Sequence, residues 1–573
     1  MSPRVAVIGG GLAGITAAIA LAEAGAAVTL LEARPRLGGA TCSFTRDGLT
    51  VDTGQHVFLG CCTAYRGLLD KLGMTAHAPL QDRFDVTVLA PAPSGQVRAG
   101  SGGATPPTPR RGRLRRTALP GPLHMLPALA RYPFLSFAER SRVSRPALAM
   151  RRVDPADPVV DEQRFGDWLA ARGQSDRARR ALWDLFTVSA LNIAGDDASL
   201  ALAATVVKTG LLGKNNAADI GVPALPLGEL HGDAAATLLT KLGAQVLIGA
   251  KAAAIDLDGA DARFRIRLAR PDESAAGHEQ PTEIAADAVV LAVSHEAAAR
   301  LVPPGALPDE TVAAWAGLGA SPIVNVHVIY DRPVMDLPFA AAVDSPVQWV
   351  FDRTRISGLD RLSAPSAPHP EAGETADSPG SSKVNPGFHP AADRTSDAAA
   401  GAADAADTAV GTADAADTAE GAGDVASKPQ YLAISLSAAD EYVDVPAAKL
   451  REQFLPALAE LFPAVRDAQV IEFFVTRERR ATFRQAPGSG RLRPRTGTEL
   501  PGLVLAGAWT DTGWPDTMEG AVRSGLSAAI ELRRSVLSGT GPSSTGHSGS
   551  GYSGSVISGS EPNASASTIG VRE

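Results

Sequence analysis

At 573 residues the chain is too long for one hydrophobic core and requires several domains. Lys plus Arg number 54 against 62 Asp plus Glu, and this net charge of −8 excludes a dedicated nucleic-acid binder, which would carry a basic domain. Seven of the acids, and no basic residue, fall between Ser396 and Ser427, so the remainder is nearly neutral.

Val5–Ile8 reads as a short buried strand. Gly9-x-Gly11-x-x-Gly14 then opens an alanine-rich helix, and Val28–Leu31 forms the next strand, ending in Glu32. Gly9 permits a tight turn, Gly11 lets the backbone approach a pyrophosphate, and Gly14 allows close helix–strand packing. The helix start at Leu12, Ala13 and Gly14 offers free N–H groups and the positive end of the helix dipole to phosphates. Glu32, 18 residues after Gly14, stands where a carboxylate accepts ribose hydroxyls, and it argues against the 2′-phosphate of NADP. Strand, glycines, helix, strand and acid in this order specify a dinucleotide site. The apolar run Val5–Ala22 has the length of a signal sequence, but three consecutive glycines interrupt it and a strand follows at once. No other window holds about 18 uninterrupted apolar residues, so no transmembrane helix is expected.

Ala33 and Arg34 follow Glu32, and then Gly38-Gly39 and Ala40, a second backbone approach that suits a long, extended cofactor. Asp52 to His56 (DTGQH) contributes Gly54, Gln55 and His56. The adjacent Cys61 and Cys62, with a third cysteine, form neither a disulfide framework nor a metal spacing, which fits a cytoplasmic protein. Residues 91–118, rich in Pro, Gly and Arg, read as a long loop with five arginines from Arg110 to Arg116. Helices dominate 120–210, and a helix at 228–242 leads to the strand-like QVLIG, then IDLDG, FRIRLA and ADAVVLAVS. Residues 357–428 are a low-complexity insertion, predicted disordered, whose flanks VQWVFDR and QYLAISLS read as the two strands of an expanded hairpin. GLVLAGAW is a last buried strand before a helix at 517–535, and a Gly/Ser-rich tail follows.

The combination of EARxRLGG, DTGQH and WxxTMEGAVRSG resembles FAD-dependent amine oxidases and phytoene desaturases. Within that superfamily, DTGQHVFLGCCTAYRGLLDKLG, LPGPLHMLPALARYPFLSFAER, ALNIAGDDASLALAA, ADIGVPALPLGEL and AGAWTDTGWPDTMEGAVRSG are similar to hydroxysqualene dehydroxylases, squalene-associated flavoproteins of hopanoid biosynthesis. The resemblance runs from the first strand to about residue 535. It implies an α/β fold: a Rossmann-like FAD-binding domain interrupted by a mixed α+β substrate domain. The FAD-binding pieces are placed at 1–60, 226–300 and 495–536, the substrate pieces at 61–225 and 301–480, and a disordered tail at 537–573.

The resemblance also implies FAD as cofactor, held by Gly9, Gly11, Leu12, Ala13, Gly14, Glu32, Ala33, Arg34, Gly38, Gly39, Ala40, Gly54, Gln55, His56, Ala252, Gly507, Asp511 and Met518. The Met518 N–H, at a helix start, would meet the flavin edge. Ala40 stands where the family often has Arg. Ala508 replaces the usual Asp after Gly507, leaving Asp511 or backbone to reach the ribityl chain. His56 is the candidate proton donor and Trp514 a candidate wall of the substrate pocket; each also has a purely structural reading, as a turn histidine and a core tryptophan.

The implied reaction is reductive removal of the hydroxyl of hydroxysqualene to give squalene: an allylic C–O bond ionises with acid help and hydride arrives from reduced FAD. Only one GxGxxG unit follows an apolar strand and opens a helix, so an external reductant, NAD(P)H or an electron carrier, is expected. The alternatives are a carotenoid-type desaturase, an amine oxidase and a non-catalytic FAD-binding protein. The apolar segment Leu119–Phe137, following the arginines, reads either as core or as a peripheral membrane entrance for an isoprenoid substrate.

Overall fold

The structure is a computed structural model, and it describes residues 2–93, 108–257, 263–269, 281–362 and 428–537. Strand β1 (Arg4–Ile8) leads through helix α1 (Leu12–Glu23) to β2 (Ala27–Glu32). Because β1 and its neighbours lie in a covered parallel sheet, they are apolar throughout rather than alternating. The sheet has five strands in the order Leu503–Leu505, Ala288–Leu291, β1, β2 and Gln245–Ile248. All four pairings are parallel. A three-stranded antiparallel sheet (Ala252–Leu257, Phe264–Leu268, Glu283–Ala286) fills the connection from its edge strand back to Ala288.

Past β2, the hairpin of β3 (Ser43–Arg46) and β4 (Leu49–Asp52) leads to α2 (Thr63–Lys71). The second large sheet has seven strands, ordered Val470–Thr482, Ser321–Tyr330, Gln430–Leu436, Trp349–Asp352, Phe339–Ala342, Asp85–Ala90 and Arg110–Arg115. Helices between residues 123 and 211 cover it, among them α3 (Phe137–Met150), which opens on a Ser136/Glu139 capping box. The last helix, α4 (Met518–Leu532), packs across α1, with Gly525 so close that an added Cβ would lie 2.3 Å from the Ala13 carbonyl oxygen.

The expanded hairpin is present: Trp349–Asp352 pairs antiparallel with Gln430–Leu436. The inserted segment is shorter than expected, because Thr354–Ser357 and Leu359–Leu362 form helical turns with Leu359 buried; residues 363–427 lie outside the described residues, as does the tail from 538. Residues 94–107 of the expected arginine loop lie outside them too, but Arg110–Arg115 is an edge strand rather than loop. Its arginines are engaged. Arg113 and Arg115 meet Asp85, and Arg116 pairs with buried Asp219 at 2.6 Å. The segment from Leu119 to Phe137 is core only in part. Met125, Tyr132 and Phe134 are core, whereas Leu119, Leu123, Leu126 and Phe137 are exposed. No helix among the described residues is long and apolar enough to cross a membrane.

Candidate cofactor and catalytic site

The two glycine turns meet at the carboxyl ends of β1 and β2. Gly38 N–H donates to the Gly10 carbonyl at 2.8 Å, and a Cβ on Gly39 would come 2.9 Å from the Gly11 Cα. The glycines divide by purpose. A Cβ on Gly14 would lie 1.8 Å from the Gly9 oxygen, and one on Gly9 2.2 Å from the Ala292 oxygen, so these two serve the packing of the protein itself. A Cβ on Gly11 would meet nothing nearer than 3.9 Å. The space in front of Gly11 is kept clear for something other than protein, and Gly11, as N-cap, offers the first turn of α1 no side-chain acceptor.

Glu32 is buried, and no ion pair to it is formed among the described residues. Its Oε2 accepts Gly10 N–H at 2.6 Å and its Oε1 accepts Arg34 N–H at 2.8 Å, so it braces the glycine turn while two oxygens retain lone pairs for ribose hydroxyls. Ala250 N–H donates to the Glu32 carbonyl, which brings the strand beginning at Ala252 beside the same end of β2. Ala33 and Ala40 are exposed on either side of the second glycine turn. Arg36, which the sequence reading passed over, leaves a buried Nε without a partner.

The Thr53–His56 turn is fixed from below. Asp52 Oδ1 accepts Ser43 Oγ at 2.6 Å and Leu227 N–H at 2.9 Å, and its Oδ2 pairs with buried Arg353. Thr53 Oγ1 donates to the Ala40 carbonyl at 2.6 Å, tying this turn to the glycine pair. Asn325, from the seven-stranded sheet, donates to the Thr53 carbonyl at 3.3 Å. Asp52 is thus a brace. Around the turn, Gln55 Oε1 and Asn325 Oδ1 are buried with no hydrogen-bond partner among the described residues, while the His56 and His231 rings meet backbone groups of Gly54, Thr41 and Leu227. Buried polar atoms are rarely left unpaired, and the two together mark where a polar ligand belongs. Burial lowers the His56 pKa, with the Asp52 charge opposing, so its imidazole is neutral near pH 7. His231 is pushed down to about 4 by burial and by His56, and its Nε2 lies 2.8 Å from Tyr65 Oη.

At the third strand end, Gly507 has φ +135° and donates to Ser524 Oγ of α4 at 2.8 Å. Thr517 is the N-cap of α4, its Oγ1 accepting from Gly520 N–H, so Met518 stands at the first helical position. Asp511 is exposed and its carboxylate turns back toward Gly513 N–H at 3.4 Å. Trp514 is half-buried under the Arg523 guanidinium, 4.5 Å from the ring centre. Arg523 also pairs with Glu519, whose fully buried carboxylate accepts Ala64 and Tyr65 N–H groups and so caps α2 from α4. One residue escaped notice in the sequence. Arg493 is buried, pairs with no carboxylate among the described residues, and donates to the Ala508 and Thr510 carbonyls and to Thr512 Oγ1, holding the loop where the family's Asp is replaced by Ala508.

The clear space at Gly11, the uncommitted lone pairs of Glu32 and the orphaned Gln55 oxygen fit an extended dinucleotide whose polar ring edge reaches the Thr53–His56 turn. Residues 12–364 and 405–532 match the family model for flavin-containing amine oxidoreductases. Over 536 residues the chain is 26% identical to a hydroxysqualene dehydroxylase of Rhodopseudomonas palustris, covering 92% of this chain and 98% of that one. It is 24% identical to a ζ-carotene desaturase of Zea mays, over 91% of this chain and 82% of the relative. The fold superimposes on cyclohexylamine oxidase from Brevibacterium oxydans with a TM-score of 0.57 at 15% identity, covering 94% and 100% of the two chains. The chain therefore belongs to the flavin-containing amine oxidoreductase family, and it is an FAD-dependent oxidoreductase.

Proposed function

We propose that this enzyme reductively removes the hydroxyl of hydroxysqualene, giving squalene for hopanoid biosynthesis. The observation that carries the reading is end-to-end likeness to a relative of that name, with both glycine turns, DTGQH and the TMEGAVRSG helix present in this chain. The start of α1, with Gly11, Leu12, Ala13, Gly14, Gly38 and Gly39, would hold the pyrophosphate, and Glu32 with Ala33, Arg34, Ala40 and Ala252 the adenosine end. Gly54, Gln55, His56, Gly507, Asp511 and Met518 would surround the ribityl chain and flavin. Reduced FAD, when bound, supplies a hydride equivalent.

The protein's part is to enclose the reacting carbon and exclude water, which would otherwise trap an allylic cation. Neutral His56 serves as a hydrogen-bond partner to the hydroxyl or the flavin rather than as an imidazolium acid. Trp514, steadied by Arg523, forms a wall. Reduction of the cofactor falls to an external donor, NAD(P)H or an electron carrier. We place the enzyme in the cytoplasm with peripheral membrane contact, where a hydrocarbon substrate is drawn from a leaflet; the exposed Leu123, Leu126 and Phe137 support this.

Carotenoid-type desaturation, running hydride onto the flavin, is the second reading, supported by the likeness to a ζ-carotene desaturase. Anaerobic incubation of the reduced holoprotein with hydroxysqualene, and of the oxidised holoprotein with phytoene and with a polyamine, separates them by mass spectrometry. Squalene from the first mixture alone is the expected result; oxidised phytoene or polyamine without squalene overturns the reading.

A further inference from the structure

Asn325 lies on the strand Ser321–Tyr330 of the seven-stranded sheet, fully buried, and reaches the cofactor turn from the opposite side to the glycines. Its Nδ2 donates to the Thr53 carbonyl at 3.3 Å and would lie 3.9 Å from a Cβ on Gly54. A carbonyl oxygen only accepts, so this bond fixes which way the amide is turned and points Oδ1 away from the Thr53 backbone. The polar neighbours on the same face are paired with one another. His327 Nδ1 lies 2.8 Å from Tyr431 Oη, and His327 Nε2 lies 3.0 Å from Thr476 Oγ1. Nothing among the described residues meets Asn325 Oδ1.

The sheet is open beside this atom. In its register Asn325 stands opposite Ser435, and Ser435 opposite Trp349, so the three side chains share one face. Ser435 and Trp349 belong to inner strands, yet both are only half-buried. To one side of them Ala341 and Phe351 pack under the helices of residues 123–211. To the other, Ala433 and Phe474 pack under Leu49 and Val51 of the β3–β4 hairpin. The surface that Ser435 and Trp349 retain therefore lines a crevice between these two covers, with Asn325 at the end that meets the Thr53–His56 turn.

We infer that Asn325 is the specificity-determining residue for the alcohol, its Oδ1 accepting a hydrogen bond from the substrate's hydroxyl, an inference that deepens the dehydroxylation proposed above and rests on it. Asn325 makes and breaks no covalent bond. It is a positioning residue that holds the hydroxyl-bearing carbon at the cofactor turn while the apolar chain lies along the crevice past Trp349. A hydrocarbon of the same shape offers no donor and leaves a buried acceptor unmet, which costs more than an ordinary hydrogen bond gains. The site thus prefers the isoprenoid alcohol to the hydrocarbon formed from it, so product is released and substrate retained.

The test titrates oxidised holoenzyme, which holds no hydride for the alcohol, with hydroxysqualene and with squalene in the same detergent. Binding is read from the flavin absorbance for wild type, Asn325→Leu and Asn325→Ala. Wild type should bind the alcohol about 10- to 100-fold more tightly than the hydrocarbon. Both variants should keep the FAD spectrum and the wild-type affinity for squalene, with the preference reduced to about threefold or less. A purely structural role would move both affinities together and leave their ratio unchanged. Equal binding of the two ligands by wild type, or a preference that survives in the variants, overturns this inference alone. FAD lost from both variants assigns Oδ1 to the cofactor and overturns it as well. Reduced wild type that makes no squalene overturns the dehydroxylation reading, and this inference with it.

Discussion

Gly11 and Gly14 look equivalent in the fingerprint and differ in what a methyl group would strike. Gly14→Ala drives a Cβ to 1.8 Å from the Gly9 oxygen, so the fold itself should suffer. Gly11→Ala meets no protein atom within 3.9 Å and keeps its φ of −76°, so stability should change by about 1 kcal/mol or less while FAD is lost. Thermal melting of the apoproteins beside flavin retention on gel filtration checks the pair. A Gly11→Ala protein that stays yellow contradicts the pyrophosphate assignment. Glu32→Ala removes the acceptor proposed for ribose and the acceptor of two backbone N–H groups, and FAD affinity should fall by about 1.5–3 kcal/mol, roughly 10- to 150-fold. Unchanged affinity by fluorescence titration removes Glu32 from the site. The glycines and Glu32 were legible because the fingerprint is local, spanning 24 residues from Gly9 to Glu32. Arg493 was not, because what matters about it is burial and partners 15 or more residues away.

Among elements, the joint between the β3–β4 hairpin and the second sheet holds a fully buried ion pair, beside the partly buried Arg46–Glu472 pair. Asp52 ends β4, and Arg353 follows the strand Trp349–Asp352 of the seven-stranded sheet. Arg353→Met strands a buried carboxylate and should lower stability by about 3–5 kcal/mol. In urea the midpoint should drop with the slope unchanged; a shift below about 1 kcal/mol would show that the pair is dispensable. The strands and helices of the first sheet follow from periodicity, and the hairpin around the low-complexity insertion was readable from its two flanks. Arg110–Arg115 was misread as loop because its apolar alternation is only Gly112 and Leu114 between arginines. It lies at the sheet edge, where charged side chains face water and only Asp85–Ala90 supplies a partner.

At the scale of the molecule, the parallel sheet carries the cofactor motifs, the seven-stranded sheet supplies Asn325 and Arg353 to the same turn, and α3 with its neighbours presents an apolar, basic outer face. Phe137 is 81% exposed at the start of α3, Leu123 and Leu126 are exposed earlier in the same segment, and residues 119–152 hold six arginines against one acid, Glu139. Apolar insertion with basic attraction is the combination that holds a peripheral protein on anionic lipid, at about 1 kcal/mol per basic residue near the surface. Flotation with anionic liposomes should recover the protein at low salt and release it at high salt. Changing Leu123, Leu126 and Phe137 to Ser should weaken binding with FAD still bound; wild type that never floats contradicts the membrane entrance.

The proposed dehydroxylation requires reduced flavin to hand hydride to the carbon that loses its hydroxyl. Because reduced flavin exchanges its transferable hydrogen with solvent, a single anaerobic turnover of hydroxysqualene in D₂O tests it directly by mass spectrometry. The account predicts squalene carrying one deuterium at the former carbinol carbon, with one FAD oxidised per squalene formed. Unlabelled squalene, or a more unsaturated product accompanied by flavin reduction, would contradict it.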